Sequence, residues 1–319
     1  MTHFDVFNGD ADGLCALQQL RLHQPVDGAV LITGVKRDIA LLDRVTATEG
    51  DTVTVLDISL DKNREALQRL LDAGVRLTYF DHHFAGEVPR HPGLDAHIDT
   101  SAETCTSLLV DAFLDGAHRA WAITGAFGDN FHDAARRAAV PLDLSEEQLG
   151  VLCQLGTCLN YNGYGTELED LFFPPQELAQ LLRPYANPFD FVANEPAYQA
   201  LREGYADDMG KAEGLKPSLE EDRLALFILP DEPWTRRVSG VFGNQLARSH
   251  PQRAHAILTR LEDGAFRVSI RASLARKSGA DELCREFPTG GGRAAAAGIN
   301  RLEAADYELF VERFRSHFK

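Results

Sequence analysis

The chain has 319 residues, of which 44% are hydrophobic and 25% charged, a globular composition whose length suits two domains better than one core. No apolar run approaches the roughly 18 residues that span a bilayer, and the opening Met1-Thr2-His3-Phe4-Asp5-Val6-Phe7 lacks the basic segment and apolar stretch of a secretory signal, so no membrane association is expected. A formal net charge of -16 argues against tracking of long nucleic acid, which needs a basic surface, and otherwise favours solubility.

In chain order, Phe4–Phe7 reads as a strand, and Leu14, Leu17 and Leu20 give Gly13–His23 helical spacing. Ala29–Ile32 is a second strand. Asp38–Val45 is predicted helical, with Ile39, Leu42 and Val45 on one side. Val53–Leu56 is a third strand, and Lys62–Ala73 a helix with Ala66, Leu67, Leu70 and Leu71 inward, ended by Gly74. Val75–Phe80 is a fourth strand. Strands alternating with helices predict an α/β fold, a mainly parallel sheet with flanking helices.

From about Ala102 to Leu182 the pattern is helical, with candidates at 104–114, 119–127, 134–139 and 145–155, the last capped by Ser145. Three prolines between Pro184 and Pro196 mark a boundary, and 195–214 reads as a connecting helix. Beyond it, 224–229, 254–258 and 266–271 are strand-like, with a helix over 238–248, which predicts a smaller α/β domain. The expected division is 1–186 for the larger domain, 187–223 for a linker and 224–319 for the smaller one, across a cleft. The five cysteines are scattered, and Cys153 and Cys158 have no second pair or histidines nearby, so a zinc knuckle is not expected. An odd count points to a reducing cytoplasm.

Three strand ends carry polar groups. The first runs into Asn8-Gly9-Asp10-Ala11-Asp12-Gly13, the third into Asp57-Ile58-Ser59, the fourth into Asp81-His82-His83. Asp5 lies within a strand and is expected to be structural. The carboxyl edge of an open parallel sheet is where ligands bind. Carboxylates gathered there without bases repel one another and raise one another's pKa values, so divalent cations are the natural complement. Oxygen ligands with one or two imidazoles suit Mn2+ or Mg2+ better than structural zinc. Two ions about 3.5–4 Å apart can clamp a phosphate and activate water. Singly, each piece has a plain reading: Asp-x-Asp-Gly is common in turns, Asp57 can cap a helix, and adjacent histidines can belong to a polar loop. The ordered set makes those readings poor.

That set, Asn8-Gly9-Asp10-Ala11-Asp12-Gly13 followed by Asp57 and by Asp81-His82-His83, resembles the DHH phosphoesterase superfamily. Thr289-Gly290-Gly291-Gly292-Arg293-Ala294-Ala295-Ala296-Ala297-Gly298 resembles the glycine-rich motif of the associated DHHA1 domain, so the resemblance reaches both ends of the chain. It implies a hydrolase with two Mn2+ ions, or Mg2+ in their place. Asn8, Asp10 and Asp57 would hold one ion. Asp12, Asp57, His82 and Asp129, the last in Gly125-Ala126-Phe127-Gly128-Asp129-Asn130, would hold the other. Asp81 would support the site and His83 would meet the phosphate. Many relatives carry histidine or aspartate in place of Asn8, a weaker ligand. In the smaller domain Gly290, Gly291 and Gly292 would let backbone N–H groups approach a phosphate as an anion nest, with Arg293 and Arg271 contacting phosphate or base; without the resemblance, Arg271 reads as a solvent-facing strand residue and the glycines as a flexible loop. Asn160-Tyr161-Asn162-Gly163-Tyr164-Gly165 reads equally as a cleft lining or a polar turn. His91, His97, His118, His132, His250 and His255 read as surface or packing residues.

The expected activity is hydrolysis of phosphodiester bonds in short oligonucleotides, dinucleotides or related nucleotides. Length and charge favour a short substrate, as no segment suggests an OB-fold. Alternatives are a polyphosphate or pyrophosphate hydrolase, and a nucleotide sensor that binds without turnover. The expected partners are the nucleotide substrate, no membrane and no long nucleic acid, with a homodimer left open.

Overall fold

A computed structural model describes residues 1–101 and 103–319. Its contacts divide the chain into two units, Met1–Gly204 and Tyr205–Lys319. No helix among the described residues is long and apolar enough to cross a membrane.

The first unit is an α/β layer structure on a five-stranded parallel sheet. β1 (His3–Phe7) leads into α1 (Ala11–His23), β2 (Val30–Ile32), β3 (Thr52–Leu56), α2 (Arg64–Asp72), β4 (Arg76–Asp81) and β5 (Leu94–Ile98). The strand order is β2-β1-β3-β4-β5, every pair parallel. β1 and β3 are buried on both faces after their first residue, as strands covered by crossover helices must be. Alternation along β1 sends Phe4 and Val6 to one core, with Val53, Val55, Leu67 and Leu70, and Phe7 to the other, with Leu14, Leu56, Phe80 and Trp121. The order reverses between β1 and β3, since β1 connects to β2 on one side and lies beside β3 on the other. That switch point opens a crevice at the carboxyl ends of the strands.

The helical layer follows: α3 (Thr106–Phe113), α4 (Arg119–Gly128), α5 (His132–Ala139), α6 (Glu146–Gly163), α7 (Pro175–Leu182) and α8 (Pro188–Asn194). Ser145 caps α6, as its sequence suggests, and Gln148 completes a reciprocal capping box there. Ala102, at the start of the helical pattern, lies outside the described residues. α9 (Pro196–Glu213) carries the chain from the first unit to the second, so 187–223 holds α8, α9 and the short β6 (Leu219–Glu221).

In the second unit β7 (Leu224–Leu229), α10 (Pro233–Ser249) and β8 (Ala254–Arg260) make a parallel crossover, followed by β9 (Phe266–Arg271), α11 (Ala280–Arg285), β10 (Gly290–Arg293), β11 (Ala296–Leu302) and α12 (Tyr307–Phe318). The six-stranded sheet runs β10-β11-β9-β8-β7-β6 and is antiparallel except at β7-β8. Phe310, Phe314 and Phe318 of α12 pack into its core.

Several expectations change. The segment 38–45 forms only a 3-10 turn at Leu41–Arg44. The side chain of Asn63 explains why: its amide oxygen accepts from the Leu42 N–H (3.2 Å) and its amide nitrogen donates to the Ile39 carbonyl (2.7 Å), taking backbone groups a helix would have used. Ile39 is left exposed. β5, with its mixed sequence Leu-Asp-Ala-His-Ile, is a strand that its residues did not signal. Asn160–Gly163 is the buried last turn of α6, not a surface turn.

Candidate metal centre

Glycines shape the loop after β1. A Cβ on Gly9 would lie 2.1 Å from the Gly34 carbonyl oxygen, and one on Gly13 would lie 2.2 Å from the Asn8 carbonyl oxygen, so only glycine lets the loop fold back into α1 this tightly. Asp10 is the N-cap of α1: its Oδ1 accepts from the Asp12 and Gly13 N–H groups at 3.0 and 3.1 Å. Asp12, in the first turn, accepts at both oxygens from the Thr106 and Ser107 N–H groups at the start of α3, each at 2.7 Å. Asp57, directly after β3, has φ +60, a left-handed conformation that aspartate tolerates better than most residues and that clusters at functional sites. It accepts from the Thr106 hydroxyl at 3.1 Å.

Asp81 ends β4, and His82 and His83 follow it. His82 is 7% exposed, and its Nε2 lies 3.4 Å from Asp57 Oδ1, 3.6 Å from Asp129 Oδ2 and 3.8 Å from Asp12 Oδ2. These separations exceed hydrogen bonds. They are spacings that atoms bound to one ion keep from each other. Two groups of ligand atoms converge to within 4.8 Å, Asp57 with His82 and His83, and Asp12 with His82 and Asp129. His82 belongs to both. His83 is half-exposed, and its Nδ1 is held by Asp81 Oδ1 at 2.7 Å. The other oxygen of Asp81 is buried without a hydrogen-bond partner.

The electrostatics agree with the geometry. Burial pushes Asp57 well above the usual carboxylate range, and the charges of Asp10, Asp12, Asp129 and Asp81 push it further. Burial raises Asp12 as well. For His83 burial works downward, but the bond to Asp81 outweighs it and the pKa is raised. Among the described residues, five carboxylates therefore share a site whose one fixed positive charge is an ammonium that the motifs did not reveal.

That ammonium belongs to Lys36, on the segment after β2. It is ion-paired with Asp10 and donates to Asp129 Oδ1 at 3.0 Å and to Asn160 Oδ1 at 3.0 Å, with Nζ 5.5 Å from the centre of the Tyr164 ring. Burial works to lower its pKa, but Asp10 and Asp129 outweigh that and hold it well above the ordinary lysine value. Under Lys36, Asp10 stays below the usual carboxylate value although burial opposes it. The one signal for Lys36 was its place at the carboxyl end of a strand, shared with the three acidic motifs. Thr106 and Asn160 carried no such signal. Asn8 is buried, gives its amide N–H to the Lys36 carbonyl oxygen at 3.3 Å, and leaves its amide oxygen without a partner.

Outside this cluster, Asp5 is a structural ion pair: Arg21 binds both its oxygens, at 2.6 and 2.9 Å. In the second unit Gly290–Arg293 is a strand paired with β11 in a tight hairpin, not a loop of stacked N–H groups. A Cβ on Gly290 would lie 1.7 Å from the Cys284 carbonyl oxygen, so packing against α11 requires that glycine. Arg293 is exposed at the end of β10. Arg271 is not the solvent-facing residue that its alternating strand suggested. Its guanidinium donates to Asn244 Oδ1 (2.6 Å), Ser269 Oγ (3.1 Å) and the Ile270 carbonyl oxygen (3.1 Å).

No family model and no curated protein matches the sequence. Solved structures do match. The chain is similar to an exonuclease RecJ bound to manganese (16% identity, 100% of this chain and 91% of that one, TM-score 0.63). It is similar to the DHH domain of a protein described as belonging to a family of ribosomal proteins (14%, 99% and 86%, TM-score 0.64). A third likeness is to a pGpG-specific phosphodiesterase from Vibrio cholerae (15%, 99% and 99%, TM-score 0.56).

Proposed function

From the fold that it shares with DHH-domain phosphoesterases, we propose that this chain is a divalent-metal-dependent phosphodiesterase acting on short nucleotide substrates. One observation carries the reading: five carboxylates meet at the β1/β3 switch point with a single ammonium among the described residues there. Such an excess of buried negative charge is unstable alone and is matched by a cation of charge two. Asp12, His82 and Asp129, whose ligand atoms converge, would hold it, with Asp57 beside His82 and His83 at its margin. When bound, a divalent ion supplies Lewis acidity toward a phosphoryl oxygen.

The chain's own residues account for the rest. Thr106 and the start of α3 orient Asp57 and Asp12. Asp81 holds His83 by Nδ1, which leaves Nε2 to carry a proton toward a phosphate or departing oxygen, and the raised pKa favours that protonated form. In the second unit, the exposed Arg293 supplies a guanidinium for phosphate or base. A net charge of -16 suits a di- or oligonucleotide better than a long strand. Manganese is the metal to try first, because the structurally similar RecJ is described bound to it.

The test is turnover of a dinucleotide by chelator-stripped protein, with and without Mn2+. Metal-dependent release of mononucleotides is expected. Binding without turnover at saturating Mn2+ would make the chain a nucleotide sensor, and orthophosphate released from pyrophosphate in place of mononucleotides would make it a pyrophosphatase.

A further inference from the structure

We infer that the centre holds one divalent ion, and that the Lys36 ammonium occupies the place of a second. The inference rests on the reading of the acidic cluster as a metal site. It concerns the half of that cluster built from Asn8 and Asp10, where Lys36 engages Asp10 and no group of ligand atoms converges as around His82.

Three oxygens from three separate segments surround Nζ of Lys36: Asp10, Asp129 Oδ1 at 3.0 Å and Asn160 Oδ1 at 3.0 Å. An ammonium has three donors, and all three are used. Both oxygens of Asp10 are likewise engaged, Oδ1 by the backbone N–H groups of Asp12 and Gly13 and Oδ2 by Lys36. The converging groups of ligand atoms lie around His82, and neither includes Asp10. A dication beside Asp10 would have to displace the ammonium or sit against it, and like charges at that distance repel strongly.

Asn8 makes the second argument. The resemblance places a ligand there, yet the side chain is a neutral amide. A single positive charge at residue 36 needs less negative charge around it than a dication does, and Asn8 adds none. Asn8 and Lys36 are also in direct contact through the Asn8 amide N–H and the Lys36 carbonyl oxygen, at 3.3 Å. The two departures fit as one change: a monovalent cation tethered to the chain, with a neutral residue against its backbone. Asn160 supplies the third oxygen, again neutral.

The experiment is metal stoichiometry on the full chain, stripped with chelator, equilibrated with Mn2+ and read by elemental analysis and by electron paramagnetic resonance. The wild type is expected to hold one ion per chain with the hyperfine pattern of an isolated Mn2+. Asn8→Asp alone should stay at one ion, because Lys36 is still present. Asn8→Asp with Lys36→Met, which keeps a stem of similar length without the charge, should rise to two ions and give the spectrum of an exchange-coupled pair. Two coupled ions in the wild type overturn the inference and leave the proposed function standing, as does a second ion gained by Asn8→Asp alone. One ion in a folded double variant overturns it too. The wild-type count decides even where a variant fails to fold, and no bound ion at all would remove the metal-centre reading itself.

Discussion

In the first unit five carboxylates share a site with one ammonium, which reaches two of them, whereas in the second the arginines and acids meet largely one to one: Arg236 with Asp231, Arg253 with Glu220, Arg315 with Glu221. The second unit's sheet is mostly antiparallel and ends in a glycine-rich hairpin, and the Arg271 guanidinium is satisfied by a neighbouring helix and its own strand. Those charges are settled by the fold. The first unit leaves the negative charge of its carboxylates in excess at a strand edge although most of their oxygens are hydrogen-bonded, and such an excess costs stability. On the proposed function, chemistry belongs where that imbalance lies.

The contrast can be broken by single substitutions. Asp57→Asn should remove turnover by on the order of 1000-fold, about 4 kcal/mol in the barrier. The same change should raise the metal-free protein's stability by roughly 1–2 kcal/mol, since it deletes a buried charge and asparagine tolerates the left-handed backbone. Kinetics and metal-free denaturation on one preparation check both, and a loss of stability would show that the acidic edge is not frustrated.

The second unit offers the next effect, and it is one of pH. His255 is buried in β8, and burial, with His250 and Arg253 nearby, lowers its pKa from 6.5 to about 4. As pH falls below the unfolded value of 6.5, the unfolded chain takes up a proton that the folded chain refuses. Stability from this residue is therefore complete above that pH and is lost between about 6.5 and 4, by on the order of 3 kcal/mol. Denaturation of wild type and His255→Gln across that window tests it, the variant being expected to show a flatter profile.

Smaller effects sharpen the comparison. Asp81→Asn keeps the shape but weakens the hold on His83, and should lower kcat by about 10- to 100-fold, with the basic side of the pH profile moving to lower pH as the histidine loses its carboxylate. An unmoved profile would count against His83 as the proton carrier. Arg293→Ala should raise KM roughly tenfold with kcat nearly unchanged and no loss of stability, because the side chain is exposed at a strand end. A fall in kcat alone would contradict a binding role.

The first unit's strands were legible because buried parallel strands are short apolar runs between glycines and helical repeats, and the acidic motifs were legible because they follow those runs directly. Asp12, Asp57, His82 and Asp129 bring ligand atoms together: the parallel strands deliver Asp57, His82 and the start of α1 to one edge, and the end of α4 delivers Asp129. β5 was hidden by its mixed composition, and 38–45 was misread because Leu42 and Ile39 find their hydrogen-bond partners in Asn63, far along the chain.

Four strands of the first unit's sheet, and the carboxylates that stand at its edge, can be read from residue order, since period, strand-end position and residue chemistry are local properties. Folding in three dimensions settled the rest: Lys36 enters between Asp10 and Asp129, Asn160 meets it from the end of α6, and Gly290–Arg293 lies in a strand packed on α11. Those outcomes depend on where a loop or a helix end comes to rest against distant residues, and no spacing within the loop or the helix records that.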